Sequence, residues 1–108
     1  EVLKKLFLDD KNQFLTVECC LAEIHGWSLN NTKEFDSLFK IIRANSRIIP
    51  VLEHDWIDAA QVRFEQRKTQ KDFGLIDAVI LVKQQQHNCK VISGDKHFKG
   101  LNNVIFLK

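Results

Sequence analysis

Residues Leu75 to Val82 are apolar at every position but one, and the exception is Asp77. A run that is hydrophobic nearly all round predicts an internal helix rather than one lying on the surface. A carboxylate carried into that setting is costly unless a cation or hydrogen-bond donors receive it. Gly74 stands just ahead, so Asp77 falls in the first helical turn, where the dipole alone favours an acid; a purely helix-terminal role stays open. A second acid, Asp95, follows the apolar pair Val91-Ile92 and a Ser93-Gly94 break. This pattern predicts a strand end in an α/β sheet, and ligand sites lie at the carboxyl ends of parallel strands. Ser-Gly-Asp is also ordinary turn chemistry, which is the alternative for Asp95.

The rest of the chain alternates helix and strand. Leu3, Leu6 and Phe7 predict a short amphipathic helix, and Phe14 to Val17 a strand. Cys20, Ile24 and Trp27 fall at i, i+4 and i+7 on a helix that Gly26 and Ser28 should help to end. Asn31 with Glu34 resembles a capping box. It would open a helix carrying Phe35, Leu38, Phe39 and Ile42 on one face, the clearest period in the chain. Ile48 to Leu52 reads as a strand, with Pro50 confining it to an edge. Ile57, Ala60 and Phe64 mark the next helix, and Val104 to Leu107 a last strand. Such alternation predicts a single α/β domain over residues 1–108 with a mainly parallel sheet.

Composition excludes several classes. A chain of 108 residues with 44% hydrophobic and 28% charged residues can bury one core. Its net charge of +2 does not by itself argue for nucleic acid. No apolar run nears the roughly 20 residues that span a bilayer. Cys19, Cys20 and Cys89 cannot all pair internally, so reduced thiols and a cytoplasmic setting are expected. Cys19-Cys20 lacks the spacing of a redox pair. Asp72-Phe73-Gly74 spells a kinase magnesium motif, but the chain is short for a kinase and has no glycine-rich loop.

A third acid is expected at a strand-to-helix junction, and Glu23 meets that requirement; its alternative is a plain surface position. Three converging carboxylates repel one another, so either some are protonated or a divalent cation sits between them. Oxygen ligands suit a hard ion, Mg²⁺ or Mn²⁺. Such an ion can activate water and stabilise charge developing at phosphorus, which points to metal-dependent phosphoryl chemistry.

The runs Thr16-Val-Glu-Cys-Cys-Leu-Ala-Glu-Ile24, Gly74-Leu-Ile-Asp-Ala78 and Val91-Ile-Ser-Gly-Asp-Lys-His-Phe98, closed by Leu101-Asn-Asn-Val-Ile-Phe-Leu107, resemble a PIN domain. That fold is shared by VapC-type toxins and RNA-processing nucleases. The resemblance implies a Rossmann-like, three-layer α/β/α sandwich around a mainly parallel sheet, and Mg²⁺- or Mn²⁺-dependent endonucleolytic cleavage of RNA. It carries catalytic and metal-binding roles onto Glu23, Asp77 and Asp95, and supporting roles onto Thr16 and Ser93. A toxin of this kind would have a small antitoxin as partner and would usually form a homodimer, with no membrane association.

One element of the pattern is missing. Members of the family open with a strand bearing a further aspartate, and nothing ahead of Leu3 supplies it. The chain also holds no methionine, and Glu1 stands first. The expectation is an additional amino-terminal strand and helix of about 20 to 30 residues. Without that acid, the other reading is a PIN-fold module that binds RNA or protein without cutting. A phosphatase or nucleotide hydrolase using the same acids is a third.

Lys96, His97 and Lys99 are candidates for contacting RNA phosphates, or else part of a solvated loop. His97 could also be a ligand beside Asp95, but His25, His54 and His87 share no metal-like spacing with it, which argues against zinc. Arg43, Arg47, Arg63, Arg67, Lys68 and Lys71 read as solvated surface, and Trp27 and Trp56 as rings packed against the sheet or a partner subunit rather than base-stacking platforms.

Overall fold

The computed structural model describes residues 2–107. Five α-helices, four three-residue strands and one 3-10 turn alternate along the chain, an α/β arrangement. The described residues group into two compact units, one over residues 5–51 and one over 52–107 together with residues 2–4.

In the first unit, the carboxyl half of α1 (Val2–Leu8) is followed by β1 (Leu15–Val17), α2 (Cys20–Asn30), α3 (Phe35–Asn45) and β2 (Arg47–Ile49). β1 and β2 pair in parallel, Thr16 opposite Ile48. Phe7 stacks on Phe14 with ring centroids 4.5 Å apart. His25, Phe35 and Phe39 form a ring ladder that joins α2 to α3, with the Arg43 guanidinium 4.8 Å above the last ring.

Three local expectations fail here. Helix α2 runs through Gly26 and Ser28 to Asn30, because the Ser28 hydroxyl donates back to the His25 carbonyl and stays within the helix. Asn31 closes α2 instead of opening α3: its backbone and side-chain N–H groups both donate to the Trp27 carbonyl. Strand β2 stops at Ile49, one residue before Pro50, which has no N–H to continue a ladder.

The second unit holds α4 (Glu53–Gln66), α5 (Leu75–His87), β3 (Val91–Ser93), a 3-10 turn (Lys96–Phe98) and β4 (Val104–Phe106). β3 and β4 pair in parallel, Ser93 opposite Phe106. Its core is Ala59, Phe73, Ala78, Val79, Val82, Val91 and Phe98, with α4 packed along α5. The internal helix expected after Gly74 is therefore present, and the lone acid of its run lies at its amino end. Helix α5 closes at Asn88, whose left-handed backbone (φ 47) suits an asparagine.

Helix α4 reverses its expected facing. Ile57 and Phe64 are 67% and 66% exposed, and Ala60 is exposed beside them. The buried positions are Ala59 and Asp55. Asp55 is fully buried because α5 supplies its partners: Lys83 Nζ at 2.6 Å and the Gln86 amide donating at 2.6 Å. The Leu52 N–H adds a third donor at 2.7 Å, in the manner of a helix cap. An ion pair between the helices sets which side of α4 turns inward, and the apolar period on the other side is left outside. An open groove of about 360 Å³ runs between Ile57, Gln61 and Val62 on α4 and Val82, Gln85 and Gln86 on α5.

Candidate functional site

The loop that enters α5 and the loop that leaves β3 come together in the 52–107 unit. Gly74 is the N-cap of α5 and Asp77 sits in its first turn. Asp95 follows β3 and caps the 3-10 turn, its Oδ1 accepting from the His97 N–H at 2.9 Å. The Asp95 N–H donates to Ser93 Oγ at 3.0 Å, which ties the acid to the end of its strand. Short polar side chains bonding to nearby backbone hold such a turn without apolar packing.

His97 lies between the acids. Its Nδ1 is 2.9 Å from Asp77 Oδ2 and 3.2 Å from Asp95 Oδ1. Its Nε2 is 3.2 Å from Asp72 Oδ2. That last approach is a charge contact and not an aligned hydrogen bond, since Nε2 is buried and makes none. The ring is fixed from other sides as well. Its backbone carbonyl accepts from Gln70 Nε2 at 2.8 Å. The buried Phe73 ring meets the imidazole edge-on at 5.7 Å, and Arg67 Nε holds the Phe73 carbonyl at 2.8 Å.

The electrostatics follow from this crowding. The Asp72 carboxylate raises the His97 pKa against the opposing effect of burial, and Asp95 and Asp77 add to the rise. Burial pushes the Asp77 carboxyl up, and the nearby Asp95 charge pushes it further, while His97 works in the other direction. Exposed Asp72 is held below its ordinary value, chiefly by His97. Three acids thus surround one imidazole, an excess of negative charge that favours a cation.

The donor set fits one. Single ligand atoms of Asp77, Asp95 and His97 all lie within 4.8 Å of one another, the one such group among the described residues. Ligands on a small octahedral ion at bonds near 2.1 Å stand about 3 Å apart along an edge, which matches the 2.9 and 3.2 Å from His97 Nδ1 to the two acids. Asp77 and Asp95 offer the hard oxygens that Mg²⁺ or Mn²⁺ takes.

Of the other expected site residues, Glu23 and Thr16 belong to the 5–51 unit. Glu23 is exposed in the first turn of α2, and the Thr16 hydroxyl on β1 shares a 2.7 Å hydrogen bond with Ser46 Oγ at the end of α3. Lys96 is exposed, 3.9 Å from Asp72, and the Lys99 ammonium lies 5.7 Å from the Phe106 ring centre. The imidazole of His97 points inward, with 15% of the side chain exposed.

Asp72, which in the sequence belongs only to the Asp72-Phe73-Gly74 triplet, joins the site in the fold. The usable signal was its spacing, five residues ahead of Asp77 on the same helix entry. Lys83 also carried a signal: it stands four residues after Val79, on the buried stripe of α5, and so required an anion.

No family model, curated protein or solved structure matches this chain. No helix among the described residues is long and apolar enough to cross a membrane.

Proposed function

We propose that this chain is a metal-dependent endoribonuclease domain of the PIN type, which cuts RNA phosphodiesters. The observation that carries the reading is the meeting of Asp77 and Asp95 around one point, from a helix start and a strand end. These two acids would hold Mg²⁺ or Mn²⁺. The bound ion supplies an activated water and a sink for charge at the phosphate. Ser93 and the His97 N–H keep Asp95 aimed. Lys96 and Lys99, both exposed on the loop after Asp95, would steer and seat the phosphate backbone.

With this function would go the three-layer sandwich around one mainly parallel sheet, for which the two parallel strand pairs are partial support. A toxin of this type would meet a small antitoxin and act as a homodimer in the cytoplasm. Cys19, Cys20 and Cys89 are joined by no disulfide among the described residues, which suits a reducing compartment.

A second reading, a binding module that does not cut, is favoured by one observation. His97 already answers both acids, so the cluster is neutralised in part without an ion. Cleavage of a structured RNA in Mn²⁺ separates the two. Asp77→Asn and Asp95→Asn should each lower the rate by about 100-fold or more while circular dichroism stays unchanged. Wild-type rates in either variant would overturn the nuclease reading.

A further inference from the structure

We propose that His97 is itself a metal ligand through Nδ1, with Asp72 as its outer partner, and that this nitrogen makes the site select first-row transition dications such as Mn²⁺ over Mg²⁺. The inference rests on the dication site of the proposed nuclease, but not on RNA cleavage.

The first ground is distance. Nδ1 stands 2.9 Å from Asp77 Oδ2 and 3.2 Å from Asp95 Oδ1. These are good hydrogen-bond lengths, and they are also edges of an octahedron whose bonds are about 2.1 to 2.2 Å. An ion taking the place of the proton on Nδ1 would meet two carboxylates and one imidazole, and it is the nitrogen of that set that suits first-row transition ions.

The second ground lies behind the ring. A ligating histidine nearly always turns its other nitrogen to a carboxylate or carbonyl, which fixes ring and tautomer. Asp72 Oδ2 is 3.2 Å from Nε2, and Nε2 is buried with no hydrogen bond of its own. An ion on Nδ1 obliges the ring proton to sit on Nε2, where the Asp72 charge 3.2 Å away favours it.

Orientation is the third ground. Gln70 holds the His97 carbonyl, Asp95 holds its N–H, and the Phe73 ring edge limits rotation. A solvated RNA-contacting histidine would need none of these. An imidazole disfavours Mg²⁺, which keeps to oxygen and water, while it suits Mn²⁺ and its heavier neighbours.

Titration of the full chain with MnCl₂ and MgCl₂, followed by calorimetry, tests the selectivity. Electron spin-echo spectroscopy of the Mn²⁺-loaded protein tests the ligand. The expected results are Mn²⁺ affinity at least about tenfold above Mg²⁺, with ¹⁴N modulation from one imidazole. His97→Ala should remove the modulation and the preference together, and Asp72→Asn should weaken Mn²⁺ by about tenfold while keeping the modulation. His97→Asp, an all-oxygen site, should bind Mn²⁺ and Mg²⁺ nearly alike, and serves if the alanine variant does not fold. Tight Mn²⁺ binding without ¹⁴N modulation, unchanged in His97→Ala, overturns histidine ligation and leaves the nuclease reading standing. Absence of binding by any dication overturns both.

Discussion

The 52–107 unit contains two polar clusters built on α5, and they are opposites. Near the helix's carboxyl end, Asp55 and Lys83 are a closed account: one acid, one base, and amide donors from Gln86 and Leu52 for what remains. At its amino end, Asp72, Asp77 and Asp95 share a single imidazole, and a buried nitrogen has no hydrogen bond. Saturated polar groups in a core specify how helices pack. Unsaturated ones with excess charge of one sign mark where something else binds. The contrast separates scaffold from site without any appeal to family.

The largest expected effect comes from opening the closed cluster. Lys83→Met takes the ammonium from buried Asp55, leaving it amide donors and the exposed His54 imidazole at 3.4 Å, and should cost about 3 kcal/mol in urea unfolding. Asp55→Leu combined with Lys83→Met should recover most of that loss. Burial alone would raise the Asp55 pKa, but Lys83, the Leu52 N–H and Gln86 overcome it and hold the carboxyl far below the usual aspartate value of 3.8. A depressed carboxylate contributes stability above its unfolded value. The wild type should therefore lose stability as pH falls below about 4, and the double variant should lose less of it.

Perturbing the open cluster should cost less and show the opposite pH dependence. His97→Gln, studied with a chelator present, should lower stability by about 1.5 kcal/mol in mildly acidic buffer. His97 has a raised pKa in the fold, mainly through Asp72, so its contribution is complete below its ordinary value of 6.5 and is lost as pH climbs through the folded value. The two unfolding curves should converge in alkaline buffer. A constant gap at all pH values would show that the imidazole is packed there and not paired.

The smallest effect belongs to the outer face of α4. Ile57→Lys should change stability by no more than about 0.5 kcal/mol, since the side chain is 67% exposed. A loss of several kcal/mol would mean that α4 turns the other way, with Ile57 inside and Asp55 out.

That last case shows where sequence reasoning stops. The α5 helix was legible because a continuous apolar run leaves one solution, and its amino end had to receive Asp77. The strands at Leu15, Val91 and Val104 followed from short β-branched runs next to turn residues. The facing of α4 was not legible, because Ile57, Ala60 and Phe64 repeat as a core stripe would. A pair formed across two helices outweighed that period, and Asp55 and Lys83 are 28 positions apart. Asp77, Asp95 and His97 were each visible as candidates, but what holds the histidine between the acids was not, because Asp72, Gln70 and Phe73 reach it only in three dimensions.

The stretch bearing Asp95 and His97 is moored by two glutamine side chains, Gln70 on the His97 carbonyl and Gln84 on the carbonyls of Asn102 and Asn103. Each mooring is a donor aimed at a lone pair. Hydrolysis of either amide during storage would place oxygen against oxygen, so an aged sample would retain its helices while this segment slips its ties.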